Sequence, residues 1–243
     1  MKRPRVSSPP SDDPSIDALA ADLREAISGH WSHRSRAEHT VAEAFASLRP
    51  RLAAIGAAAP VLALADKAID DERRHGDLCA RLASRYAGRE IAPSRPEARA
   101  LPDFGTGDEP TEVALLVMGM CCINESIASE WIRSCWSVAS ARTAVFANRE
   151  HLRDEVDHAR LGWAHLASSV VDDALLATLR PWVPKLVAVN VAEWKKPDPH
   201  LPPEGIPAHG HLSAVETEAV IDAAVRDVVL PGFALVGLGP RAR

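Results

Sequence analysis

Residues 65–86 read ADKAIDDERRHGDLCARLASRY. One stripe in this stretch decides the reading. The series Val61, Ala65, Ala68, Glu72, His75, Cys79, Leu82, Tyr86 steps by three or four throughout, which lines residues along one face of an α-helix. Lys67, Asp70, Arg73, Arg81 and Arg85 take the remaining positions. Glu72 and His75, three apart, therefore lie inside an apolar stripe that faces the core. The same spelling, Asp-Glu-x-x-His, returns as DEVDH at 154–158. There the shared face carries Ala144, Asn148, His151, Glu155, His158, Gly162 and Leu166.

Working outward, helical periodicity recurs along most of the chain. A first helix is expected over Ser15–Ser28 and a second over Ser35–Leu48, continuing past Pro50 toward Gly56. The third begins near Pro60, a favoured first-turn residue, and stops at Gly88, a favoured terminator. A proline-punctuated stretch from Arg89 to Pro110 has no period. The fourth helix is expected over Thr111–Val138 and the fifth over Thr143–Ser169. A helix over Asp172–Trp194 contains Pro181 and Pro184 and should be broken; a Pro/Gly/His loop follows, then a final helix over Ser213–Val229. Only LVAVNV hints at a strand. Helices two and three are joined briefly, as are four and five, with a long crossover between the pairs. That is the topology of a ferritin-like four-helix bundle, here all-α with additional N- and C-terminal helices. The expected organisation is a disordered Pro/Ser/Asp-rich tail over 1–14, the bundle over 15–170, and a helical extension over 171–243 that packs on the bundle or forms an interface between two copies of the chain, as in a homodimer.

Bulk properties exclude several classes. The chain has 243 residues, 47% of them apolar, which allows a sizeable core. A net charge of −5 and no basic stripe argue against nucleic acid as a partner. VALLVMGMCCI, the most hydrophobic run, is too short to cross a bilayer, so no membrane role is expected. Cys79, Cys121, Cys122 and Cys135 all fall in helical patterns and two are adjacent, which is no disulfide framework and fits a reducing cytoplasm. No phosphate-binding glycine loop, nucleophile elbow or zinc thiolate set is present.

A buried carboxylate or imidazole costs several kcal/mol unless it finds a partner. Two inward Glu/His pairs on different helices can partner each other through metal ions. Four-helix di-metal sites take one Glu-x-x-His from each of two helices and one Glu from each of the other two. On the second helix Val41, Phe45 and Leu48 lie within about 80° of Glu38 on the helical wheel, while Glu43 points away. On the fourth helix Glu125 interrupts an apolar segment and shares a face with Ala114, Met118, Cys121, Cys122, Ser129 and Ile132, while Glu130 can pair with Arg133. Glu38 and Glu125 complete the set. Four carboxylates balance two divalent ions, and oxygen with imidazole suits iron or manganese better than zinc. The plain alternative is a helical bundle with buried salt bridges through Arg73, Arg74 or Arg153.

These residues resemble the ferritin-like superfamily of carboxylate-bridged di-iron proteins over about Ser35–Ser169. DERRH fits the DExRH pattern of its oxygenase branch; DEVDH departs from it at Asp157. The resemblance implies that Asp71 and Asp154 accept hydrogen bonds from ligand imidazoles; otherwise both are solvated helix-surface acids. HLRDEVDH further places His151 one turn before Glu155. His-x-x-x-Glu-x-x-His is similar to the p-aminobenzoate N-oxygenase family of arylamine oxygenases. That likeness implies a ligand order of Glu38, Glu72, His75, Glu125, His151, Glu155, His158, though this chain is shorter and aligns little beyond the ligands. His151 reads equally as a ligand, a supporting residue or a helix-start histidine. Met118, Cys121, Cys122 and Ser129 either line a substrate cavity or pack as ordinary core. His165 is placed above the site or in the core, Tyr86 is too distant for radical chemistry, and the spacing of His200, His209 and His211 supports no site. The implied activity is that of a non-haem di-iron oxygenase: two Fe ions, O2 as co-substrate, a small organic substrate such as an arylamine, and an external electron donor. An iron-handling protein and a non-enzymatic bundle are the alternatives.

Overall fold

The computed structural model describes residues 8–96 and 100–239. The chain is all-helical, and among the described residues no strand forms; Ile206 and His211 make one isolated bridge. The framework is four long helical stretches. The helix α1 is a single turn, Pro14–Asp17, and α2 runs over Ala21–Ala54. The helix α3 spans Ala59–Ala87 and ends on Gly88, whose φ of +67° gives the left-handed stop that only glycine adopts without strain. The third stretch is α4, Glu109–Val117, a π-helical segment over Met118–Asn124, and α5, Glu125–Val138. The helix α6 spans Arg142–Leu166. The helices α2 and α3 pack along their length, as do α5 and α6, and α3 lies against α6.

The first two expected helices are in fact one. Ser28 and Ser35 bound the expected gap, but both are small residues placed where α2 approaches α3. The Ser28 hydroxyl donates to the Ala83 carbonyl at 3.0 Å and the Ser35 hydroxyl to the Gly76 carbonyl at 2.8 Å. A Cβ on Gly76 would meet the His39 ring at 2.6 Å. The tail expected over 1–14 lies outside the described residues for 1–7, and its far end is not free. Asp13 is buried, caps α1, and accepts a hydrogen bond from the Thr143 backbone N–H at 2.7 Å.

The apolar run read as too short for a bilayer lies in a helix that is long enough. Glu109–Val138 spans 30 residues, and 83% of its most apolar part is buried inside the protein, as a core helix is. Val113 to Met118 and Cys121 to Ile123 fill the main core with Phe45, Leu48 and Leu161. The C-terminal region covers this core. The helix α7, Asp173–Leu179, packs on α4, and α8, Val183–Trp194, packs on the π segment after a 3-10 turn at Arg180–Trp182. The helix α9, Ala214–Ala224, starts with a Ser213/Glu216 capping box and packs on α5. It continues through a second π segment, Val225–Val229, into α10, Leu230–Leu235, past the expected end. Gly232 permits this extension, since a Cβ there would meet the Trp163 ring at 2.7 Å.

Candidate metal centre

Glu38 from α2, Glu72 and His75 from α3, Glu125 from the start of α5, and His151, Glu155 and His158 from α6 converge in the interior. All are buried, Glu38 the least at 8% exposed. Ligand atoms of Glu38, Glu72, His75 and Glu155 lie within 4.8 Å of one another, and so do those of Glu72, Glu125, Glu155 and His158. Glu72 and Glu155 belong to both sets. Glu72 turns Oε1 to His158 Nδ1 at 3.0 Å and Oε2 to His75 Nδ1 at 3.8 Å. Glu155 turns Oε1 to His75 Nδ1 at 3.6 Å and Oε2 to His158 Nδ1 at 3.2 Å. Each shared carboxylate thus spreads its two oxygens between the two imidazoles.

The far nitrogens explain the repeated leading aspartate. His75 Nε2 faces Asp154 at 3.3 Å, and His158 Nε2 faces Asp71 at 3.5 Å. The aspartate of each motif therefore serves the histidine of the other. Both aspartates are buried rather than solvated. Arg74 bridges them, contacting Asp71 at 2.8 Å and also Asp154, and Lys67 reaches both. Of the arginines weighed for buried ion pairs, only Arg74 serves here. Arg73 pairs with Glu43 near the surface, and Arg153 is exposed beside Glu150 and Asp154.

Burial and close packing displace the titration of these groups strongly. Burial, with Glu38 beside it, pushes the Glu72 carboxyl up to about 7. Burial and the neighbouring Glu155 and Glu72 push Glu125 far above the usual carboxylate range. Burial alone would depress His75, but Asp154 and Glu72 hold it up at about 9. His158 is likewise held high against burial by the Glu72 charge and by Asp71. Glu38 is drawn down, against burial, mainly by Arg34. Protons thus gather on Glu72, Glu125, His75 and His158. The buried Glu72 Oε2 and His75 Nδ1 have no hydrogen-bond partner, as expected of donor atoms shaped for a metal. The residues present fit divalent ions.

His151 faces the Glu38 side, with Nε2 at 3.9 Å from Glu38 Oε1 and 3.5 Å from Cys79 Sγ. Several further side chains surround the cluster. Arg34 binds Glu38 at 2.8 Å and lies over both Trp31 and Trp131; the i,i+4 spacing of Arg34 and Glu38 was a usable signal. Trp31 stacks on His151. His209 and His211 are buried, not loose loop residues, and Tyr86 shares a hydrogen bond of 2.9 Å with His209. His165 sits in the interior with no partner on either nitrogen.

Met118, Cys121 and Cys122 belong to the apolar core, and Ser129 is half-buried on α5. The π segment lies directly before Glu125, whose N–H reaches back five residues to the Met120 carbonyl. Cys121 and Cys122 press on Gly162 of α6, where a Cβ would come within 2.7 Å of both. Asn124 donates to Glu125 at 3.3 Å and accepts from the Trp194 indole at 2.9 Å, so α8 supports this side of the centre.

Fold and site together define an all-helical protein with a buried glutamate/histidine cluster able to hold metal. Protein-family models, curated proteins and solved structures yield no match for this chain.

Proposed function

We propose that the chain is a ferritin-like, non-haem di-iron oxygenase that uses O2 to oxidise a small organic substrate. The observation that carries this reading is the division of Glu72 and Glu155 between His75 and His158. Two ions can share two carboxylates there while each keeps its own histidine and terminal glutamate. Glu38, Glu72, His75 and Glu155 would hold one ion; Glu72, Glu125, Glu155 and His158 would hold the other. Two divalent ions match the four carboxylate charges, which removes the cost of burying them unpaired. The all-oxygen and imidazole set favours iron or manganese.

A ferrous pair supplies the electrons for O2 activation, and an external donor must restore them. The protein's part is positional. Asp154 accepts from His75 Nε2–H at 3.3 Å and Asp71 lies 3.5 Å from His158 Nε2, so each would keep the proton on Nε2 and leave Nδ1 to bind an ion once its own proton is lost. The core around Met118, Cys121 and Cys122 excludes water from the Glu125 side. Arylamine N-oxygenation is the specific reaction proposed, on the likeness of HLRDEVDH to that family.

The test is anaerobic loading with Fe(II), then exposure to O2. Uptake of two ions per chain, transient visible absorption lost in Glu72→Ala, and oxygenation of an arylamine are expected. Iron oxidation without organic turnover would assign the chain to iron handling. Uptake below about half an ion per chain, of either iron or manganese, would leave a non-enzymatic bundle.

A further inference from the structure

Cys79 and His151 are donors beside the cluster that neither set of four ligands uses. Cys79 is fully buried on the α3 stripe, one turn beyond His75. Its sulfur, a Glu38 oxygen and a His151 nitrogen lie within 4.8 Å of one another, a third grouping that shares Glu38 with the first. The orientation of His151 is fixed from behind. Its Nδ1–H donates to the Ala147 carbonyl at 2.8 Å, so in the neutral ring Nε2 carries the lone pair. That lone pair accepts the Cys79 S–H at 3.5 Å, and Glu38 Oε1 lies 3.9 Å from the same nitrogen. An imidazole held with its lone pair toward a thiol and a carboxylate is arranged as a ligand.

We propose that Cys79, His151 and Glu38 form a third donor set, which gives the ion on the Glu38 side a sulfur ligand. This inference rests on reading the cluster as a metal centre. When the ion binds, the Cys79 S–H bond breaks, the proton leaves to solvent and a metal–sulfur bond forms; no electron changes hands. The two positions of the centre then differ in kind. The Glu125 side offers oxygen and one imidazole, whereas the Glu38 side adds a thiolate and a second imidazole. Thiolate favours borderline-soft divalent ions such as Zn(II) and Co(II) over Mn(II). The Glu38 position should therefore take Co(II) in preference to Mn(II); Fe(II) also accepts thiolate, so a ferrous pair stays compatible.

Co(II) is the probe, because cobalt bonded to thiolate absorbs intensely in the near ultraviolet and cobalt bonded only to oxygen and nitrogen does not. The chelator-stripped full chain should bind Co(II) and show this absorption. Cys79→Ser should lose it, and Cys135→Ser should keep it. Cadmium-113 NMR of the unsubstituted chain gives the same answer without any variant, through one signal displaced downfield by sulfur. Two bound ions with no sulfur absorption and no displaced signal would overturn the thiolate while leaving the di-metal reading intact. No uptake of either ion would overturn both.

Discussion

Replacing Glu72 by Gln should stabilise the metal-free protein while destroying its metal site. Glu72 is 1% exposed, and burial beside Glu38 raises its carboxyl from 4.5 to about 7. A carboxyl raised on folding favours the folded state below the unfolded value. That advantage fades as pH rises from 4.5 toward 7 and is gone above it. The rise corresponds to about 3 kcal/mol at about 1.36 kcal/mol per pH unit. Gln keeps the shape of the neutral acid and cannot ionise. The 3.0 Å contact with His158 Nδ1 offsets part of the gain, because the pair titrates together. Chelator-treated Glu72→Gln should therefore unfold later than the parent at pH 8, by about 2 kcal/mol, and match it near pH 4.5. Urea denaturation at the two pH values measures this. With Fe(II) present the order should reverse, since only the parent gains binding energy on folding. The reasoning fails if the metal-free variant is no more stable than the parent at pH 8.

Three further outcomes follow from the same geometry. Metal binding must expel the protons that Glu72, Glu125, His75 and His158 hold when no ion is present, so affinity should climb through about pH 7 and on toward about 9; calorimetry in buffers of unequal ionisation enthalpy should register that release, and a buffer-independent heat would contradict it. Asp154→Asn removes the acceptor behind His75, and Asp71→Asn the one behind His158; each should weaken metal binding by about 10–100-fold in a chelator competition, with the fold retained by circular dichroism. Gly162→Ala would drive a methyl to within 2.7 Å of Cys121 and Cys122, which should cost about 1–3 kcal/mol and lower the melting temperature.

Much of the centre was legible because inward polar residues on an apolar stripe must be satisfied together. Glu72, His75, Glu155 and His158 announced themselves by spacing, and Glu38 and Glu125 by the face they share with apolar neighbours. The crosswise service of Asp71 and Asp154 was not legible, since it depends on how α3 and α6 lie against each other. The π segment at Met118–Asn124 left no mark in the sequence, because the composition that makes α-helix also makes π-helix. The gap expected between Ser28 and Ser35 was a misreading of close packing as a break. Burial of His209 and His211 depends on contacts across a long proline-rich loop, which local pattern cannot foresee.

The crossed aspartates tie two quantities that proteins usually keep apart. A slip of α3 along α6 by one turn, about 5.4 Å, would separate Asp154 from His75 and Asp71 from His158 in a single movement. Neither motif can be repaired alone, because each holds the other's imidazole in place. The hydrogen bonding of the two imidazoles and the alignment of two helices are thus one mechanical variable, and any force that shears this bundle is felt by both imidazoles at once.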